Sequence, residues 1–162
     1  MSIYTLNNKK EEKFLRTKTK PYSFSNHTPK DTDELIRTMR ASMRKAQGIG
    51  LSANQIGLPW RVFVAEVPSR DGSIKFYAVF NPKIEVTGKD EIYYEEGCLS
   101  VPGVFGKVKR PERIVLFGED KKGKPVKIKC WGLLARVFQH EVDHLEGKLF
   151  IDHKPKELHI LD

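Results

Sequence analysis

Near the end of the chain, His140-Glu141-Val142-Asp143-His144 places two histidines four residues apart with a glutamate directly after the first. On an α-helix, positions i and i+4 lie one above the other on the same face, so both imidazoles can reach one metal ion. Glu141 is not needed on that ion and stays free to take a proton from water held there. This division of labour suits metal-assisted hydrolysis. The alternative is a solvated helix that carries two surface histidines by chance. The preceding run, Gly132-Leu133-Leu134-Ala135-Arg136-Val137-Phe138-Gln139, argues against it because it is mostly apolar. A helix apolar around most of its circumference is buried. Two histidines, a glutamate and an aspartate on a buried helix need partners, and a metal satisfies several of them at once.

A catalytic zinc-type site takes three protein ligands and keeps one position for water. The extended pattern H-E-x-x-H-x-x-G-x-x-H is followed as far as Gly147, but position 150 is Phe. Only twelve residues follow Phe150, too few for a distant glutamate ligand on a further helix. The third ligand must then lie upstream. Cys98 is the best candidate, in Glu96-Gly97-Cys98-Leu99-Ser100 between a strand-like run and a Pro-Gly turn. Its thiolate is a strong ligand, and Gly97 lets backbone come close to an ion. The other cysteine, Cys130, ends an alternating strand pattern and reads as a buried strand residue. His27, His153 and His159 lie in polar, loop-like segments and read as surface histidines.

Three blocks together carry a specific resemblance. Glu96 to Ser100, Gln139 to Gly147, and Gly48-Ile49-Gly50-Leu51-Ser52-Ala53-Asn54-Gln55-Ile56-Gly57 resemble the motifs of the peptide deformylase family, in that family's order and approximate spacing. The likeness covers roughly residues 14 to 152, loosely at its start. It implies that Cys98, His140 and His144 bind the metal with water as a fourth ligand. Glu141 would accept the water proton, and the resulting hydroxide would attack the formyl carbon of an N-formyl-methionyl nascent peptide. The same carboxyl would then protonate the departing amine. The resemblance also assigns the Gln55 side-chain amide and the Leu99 backbone N–H to the developing oxyanion. Ile49, Gly50, Gly97, Leu133 and Val137 would line the substrate site, although for Ile49, Leu133 and Val137 plain core packing is an equal reading. Arg110 and Asp143 would form an ion pair behind the ligands, since Asp143 sits on a buried helix and needs a partner. A thiolate with two imidazoles suits zinc, iron, cobalt or nickel; the family favours one Fe2+ per chain, with Zn2+, Ni2+ or Co2+ able to substitute. Two other readings stay open. One is a zinc peptidase, opposed by the missing downstream ligand. The other is a metal-stabilised binding module without activity, which would show a fourth protein ligand.

The elements that must hold these residues follow from pattern. The coarse reading is α+β, and the resemblance implies antiparallel sheets packed around a central helix that carries H-E-x-x-H. Residues 29–47 predict a helix, capped by Thr28 with Pro29 first and Asp31 in the first turn. Leu35, Ile36, Met39 and Met43 form its apolar stripe, and Gly48 ends it. Residues 61–67, 74–80, 83–87 and 91–95 are strand-like, and 113–119 with 125–131 form a hairpin. The ligand helix runs from Gly132 to about Glu146.

At 162 residues the expectation is a single catalytic domain, 1–162, with a short tail from about 153. That tail leaves no room for the long C-terminal helix of many relatives, so ribosome proximity is possible but no docking helix is evident. Two cysteines and no secretory or transit-type leader point to the cytoplasm. No run reaches the ~20 apolar residues that span a membrane. The net charge of +8 keeps a chain soluble and permits polyanion contact. Lys121, Lys122, Lys124, Lys127 and Lys129 cluster across a turn and an alternating strand, which reads as a solvated hairpin and not as specific nucleic-acid binding.

Overall fold

A computed structural model describes residues 1–161. In chain order its elements are α1 (Lys9–Leu15), α2 (Pro29–Lys45), β1 (Gly50–Ser52), β2 (Val62–Pro68), β3 (Ile74–Val86), β4 (Glu91–Cys98), β5 (Val101–Pro111), β6 (Arg113–Glu119), β7 (Pro125–Trp131), α3 (Gly132–Leu145) and β8 (Lys156–Ile160). One sheet has the order β1-β2-β3-β6-β7 and a second has β4-β5-β8. Every pairing within them is antiparallel.

β2 shows how the first sheet is covered. Successive strand residues point to opposite faces. Phe63, Ala65 and Val67 join Ala135, Phe138, Val142 and Leu145 of α3, while Val62 and Val64 join Met39 and Met43 of α2. Both faces of the sheet are therefore apolar, and each fully buried Val or Phe contributes about 2 kcal/mol. The opposite side of α3 is polar and binds the second sheet. Arg136 donates to the carbonyls of Val108 and Ile92 at 2.8 Å, and the Gln139 amide donates to Pro111 at 2.9 Å. One helix thus joins two sheets, by apolar packing on one side and hydrogen bonds on the other.

α2 begins as its residues dictate. Thr28 Oγ1 accepts from the Asp31 N–H at 3.1 Å, and the Asp31 carboxylate accepts from the Thr28 N–H at 2.8 Å. It ends differently. Gln47, not Gly48, takes the left-handed conformation, with φ 57°. Gly48 is required for space, because a Cβ there would lie 2.8 Å from Leu99 Cδ1.

Other departures have physical causes. Residues 74–86 form one strand, not two, with an irregularity between Phe80 and Lys83. Asn81, at φ 49°, absorbs it by bonding the backbone of Tyr22 and the Glu119 carboxylate. β4 runs on to Cys98, and its partner β5, together with α1 and β8, had no counterpart in the sequence reading. The segment after 153 contributes β8, which pairs with β5. His27 is not a free surface histidine: it stacks on Tyr22 with ring centroids 4.4 Å apart. His153 pairs with Asp143 at 2.7 Å. His159 is exposed, as expected. Lys121, Lys122 and Lys124 lie on the exposed turn between β6 and β7, and Lys127 and Lys129 on the solvent side of β7. Among the described residues, no helix is long and apolar enough to cross a membrane.

Candidate metal centre and active-site cleft

α3 presents His140 and His144 on the side that faces the end of β4. There the β4–β5 hairpin turns sharply, with a register shift between Gly97 and Cys98, and delivers the thiol. Cys98 Sγ lies 3.2 Å from His144 Nε2, and His144 Nε2 lies 3.2 Å from His140 Nε2. The three donor atoms fall within 4.8 Å of one another. Ligand atoms around a tetrahedral ion with bonds of 2.0–2.3 Å sit about 3.3–3.6 Å apart, so this donor set fits one small divalent metal. Burial alone would raise the Cys98 thiol, but His144 and His140 beside it hold it well below its usual range, which favours the ligating thiolate.

The free nitrogen of His140 is fixed from behind. Its Nδ1 meets Glu96 Oε2 at 3.0 Å, leaving Nε2 to point at the cluster. Glu96 is itself buried and clamped. Arg110 holds both its oxygens through Nε and Nη2, and Arg136 Nη1 adds a bond at 3.0 Å. Burial would raise the Glu96 carboxyl, but His140 and Arg110 hold it far below the ordinary carboxylate range. Arg110 also donates to Asp143 at 2.7 Å, so the expected ion pair is present, as part of a larger network.

Glu141 is 3 % exposed. Its Oε2 accepts from Ser52 Oγ at 2.7 Å, and burial raises its pKa above the ordinary value. Gly50 explains how the segment of residues 48–57 can lie against it: a Cβ at Gly50 would fall 2.4 Å from Glu141 Oε1. Among Gly48, Gly50 and Gly57, only Gly57 uses positive φ, at 77°. Gln55 is 2 % exposed. Its Oε1 accepts from the Ser52 N–H at 3.0 Å, so its amide nitrogen turns to Ser100 Oγ at 3.1 Å with Cys98 Sγ at 3.8 Å.

A cavity of about 520 Å³ opens onto these groups. Ile49, Gly50, Gly97, Leu99, Leu133 and Val137 all line it, beside Gln55, Cys98, His140 and Glu141. Ile49 and Leu133 are 47 % and 44 % exposed, so they are not core residues, whereas Val137 at 5 % packs in the core as well. Sequence reasoning missed Ser52, Arg136 and the supporting role of Glu96, and it missed Tyr94, Pro102 and Phe105 on the cavity wall. Glu96 carried a signal, a carboxylate two residues before a candidate ligand. The others carried none.

These features place the chain among hydrolases that carry H-E-x-x-H on a buried helix. Comparison with known proteins narrows the class. The family model described as polypeptide deformylase matches residues 2–158. The peptide deformylase of Elusimicrobium minutum is 43% identical over 152 residues, covering 91% of this chain and 85% of that protein. That of Halothermothrix orenii is 45% identical over 139 residues, 85% of each chain. Among solved structures, a probable peptide deformylase from Synechococcus phage S-SSM7 superposes with a TM-score of 0.84 at 38% identity, covering 94% of this chain and 99% of that one. The Synechococcus elongatus enzyme, solved in complex with actinonin, gives 0.83 at 37%, covering 94% and 79%. The chain belongs to the peptide deformylase family. It is a metal-dependent hydrolase that removes the formyl group from the N-terminal formyl-methionine of nascent polypeptides and releases formate.

Proposed function

We propose that Cys98, His140 and His144 hold the metal and that Glu141 moves the proton during deformylation. The convergence of Cys98 Sγ, His140 Nε2 and His144 Nε2 carries this reading. When bound, a divalent ion supplies Lewis acidity and lowers the pKa of coordinated water from about 16 towards 7. The chain's own residues do the rest. Glu141, held by Ser52 and shielded from bulk solvent, takes the proton from the attacking water. Its raised pKa lets it keep that proton until the amine departs, then release it to the nitrogen. Gln55 is locked through its oxygen, so its amide N–H groups stay directed at the site, and together with the Leu99 N–H they serve the oxyanion. Ile49, Leu133 and Val137 receive the methionine side chain, while Gly50 and Gly97 allow the peptide backbone to approach.

Fe2+ is the ion we assign, with Zn2+, Ni2+ or Co2+ able to replace it. We take residues 1–162 as one catalytic domain, cytoplasmic, meeting its substrates as they leave the ribosome. The deciding measurement is formate release from formyl-Met-Ala-Ser, with metal content determined on the same sample. Cys98→Ala is expected to lose both metal and activity. A Cys98→Ala protein with a full metal complement would refute the ligand assignment.

A further inference from the structure

We propose that His153 is a positioning residue for the metal centre: it secures the outer end of a contact chain, Asp143–Arg110–Glu96, that sets the ring of His140. This rests on reading His140 as a ligand. His153 Nε2 donates to Asp143 Oδ2 at 2.7 Å, and the same oxygen accepts from Arg110 Nη1 at 2.7 Å. Arg110 forks onto both oxygens of Glu96, and Glu96 Oε2 meets His140 Nδ1 at 3.0 Å. Side-chain exposure falls from 32 % at His153 and 20 % at Asp143 to 3 % at Arg110 and 5 % at Glu96. The path therefore leads from solvent to the ligand with a hydrogen bond at each link.

The two oxygens of Glu96 are not held equally. Arg136 shares only Oε1 with Arg110, whereas Oε2, the oxygen that faces His140, is held from the arginine side by Arg110 Nη2 alone, at 3.0 Å. The orientation of His140 thus depends on the orientation of one guanidinium. Planar guanidinium–carboxylate forks are directional, and the free end of this fork, Nη1, is anchored on Asp143. Asp143 is the half-open member of the chain, and without a second donor its carboxylate can turn to water and release Arg110. His153 supplies that donor. Glu96 and Asp143 are already balanced in charge by Arg110 and Arg136, so His153 need only donate, and a neutral side chain suffices.

The backbone places His153 for this task. It ends the short 3-10 turn Phe150–His153, whose Asp152 binds Arg16 and the Leu149 N–H. Phe150, from the same turn, stacks on the His140 ring with centroids 6.5 Å apart and planes at 22°. One turn therefore supports the ligand ring twice, by packing on its face and through the polar chain behind its Nδ1.

The test compares wild type with His153→Met, which keeps bulk without a donor, and His153→Gln, which keeps a donor. Zinc affinity is measured by competition with a chromophoric chelator, and the ring nitrogens of His140 are followed by ¹⁵N NMR. Removing an outer partner of a ligand typically weakens metal binding about 10–100-fold; His153→Met is expected near the low end, with an altered His140 Nδ1 resonance, and His153→Gln near wild type in both. Wild-type affinity and spectra in His153→Met, or equal weakening in Met and Gln, would overturn the proposal. His140→Ala separates the two claims. If it binds zinc as tightly as wild type, the ligand assignment falls and this proposal with it. If it binds poorly while His153→Met binds normally, only the role of His153 falls.

Discussion

The role proposed for Glu141 combines two demands that oppose each other: the carboxyl must be ionised to accept a proton, yet it is buried. Burial raises its pKa, so the ionised form is disfavoured in the fold. A carboxyl with a raised folded pKa contributes its stability below the unfolded value and loses it as pH rises through the folded one. At neutral pH the charge of Glu141 therefore weakens the protein. Glu141→Gln is expected to keep its metal, lose about 10³-fold in kcat and melt at a higher temperature than wild type; metal analysis, formate release and calorimetry check this. For the same reason the acid limb of kcat/KM for the wild type should lie above the ordinary carboxylate range. Gln55→Leu removes the proposed oxyanion donor and should lower kcat about 10²–10³-fold with metal content unchanged; unchanged kcat would make Gln55 a loop residue only. The candidate ligands, Glu141 and Gln55 could be singled out in the sequence because each lies in a block whose residue types and spacing mean something together. Ser52 and Arg136 could not, because their partners are distant in sequence. Ser52 meets Glu141 across 89 positions and Arg136 meets Glu96 across 40, and nothing local announces either pairing.

At the level of elements, the segment β1 and the turn after it act as a template pressed onto α3. Ser52 bonds Glu141, Asn54 donates to the His144 carbonyl at 2.6 Å, and Gly50 leaves room for the Glu141 carboxylate. Gly50→Ala should push that carboxylate aside, and a displacement near 1 Å can cost about 10²-fold in rate. Formate release should fall while zinc affinity stays within the error of wild type, since the three atoms nearest a Cβ at Gly50 all belong to Glu141 and none to a proposed ligand. α2, β2 and the β6–β7 hairpin were readable from caps and alternation. β5 was not, because Pro102 and Gly103 look like a turn. In fact they open the strand, Gly103 at φ 76°, and the true turn is the pair Leu99–Ser100 between Cys98 and Val101. α1 escaped because seven residues are too few to show a period. β8 escaped because all five of its residues are exposed, so burial imposes no pattern on it.

Across the whole molecule, the two cysteines stand in opposite environments. Cys130 is 3 % exposed in the core beneath α3, and burial pushes its thiol up to about 11. Cys98, the proposed ligand, lines the cleft, where His144 and His140 favour its thiolate. Iron(II) protein left in air should lose activity over hours as the metal oxidises and Cys98 climbs the cysteine oxidation ladder, while Cys130 stays intact; the zinc form should be slower but stable. Peptide mapping of both cysteines alongside formate release checks this, and a zinc form faster than the iron form would refute it. The bridging position of α3 has a consequence in time as well as in space. Two of the three proposed ligands, and the proposed base, lie on α3, which follows β1 to β7 in the chain. A growing chain thus carries α2 and β1 to β7, Cys98 included, before two of the three proposed donors exist. Metal capture becomes a checkpoint on the arrival of α3. A fragment that stops before Gly132 loses the core contacts of Ala135, Phe138, Val142 and Leu145 together with both histidines, so the metal content of a preparation reports on the chains that have acquired α3.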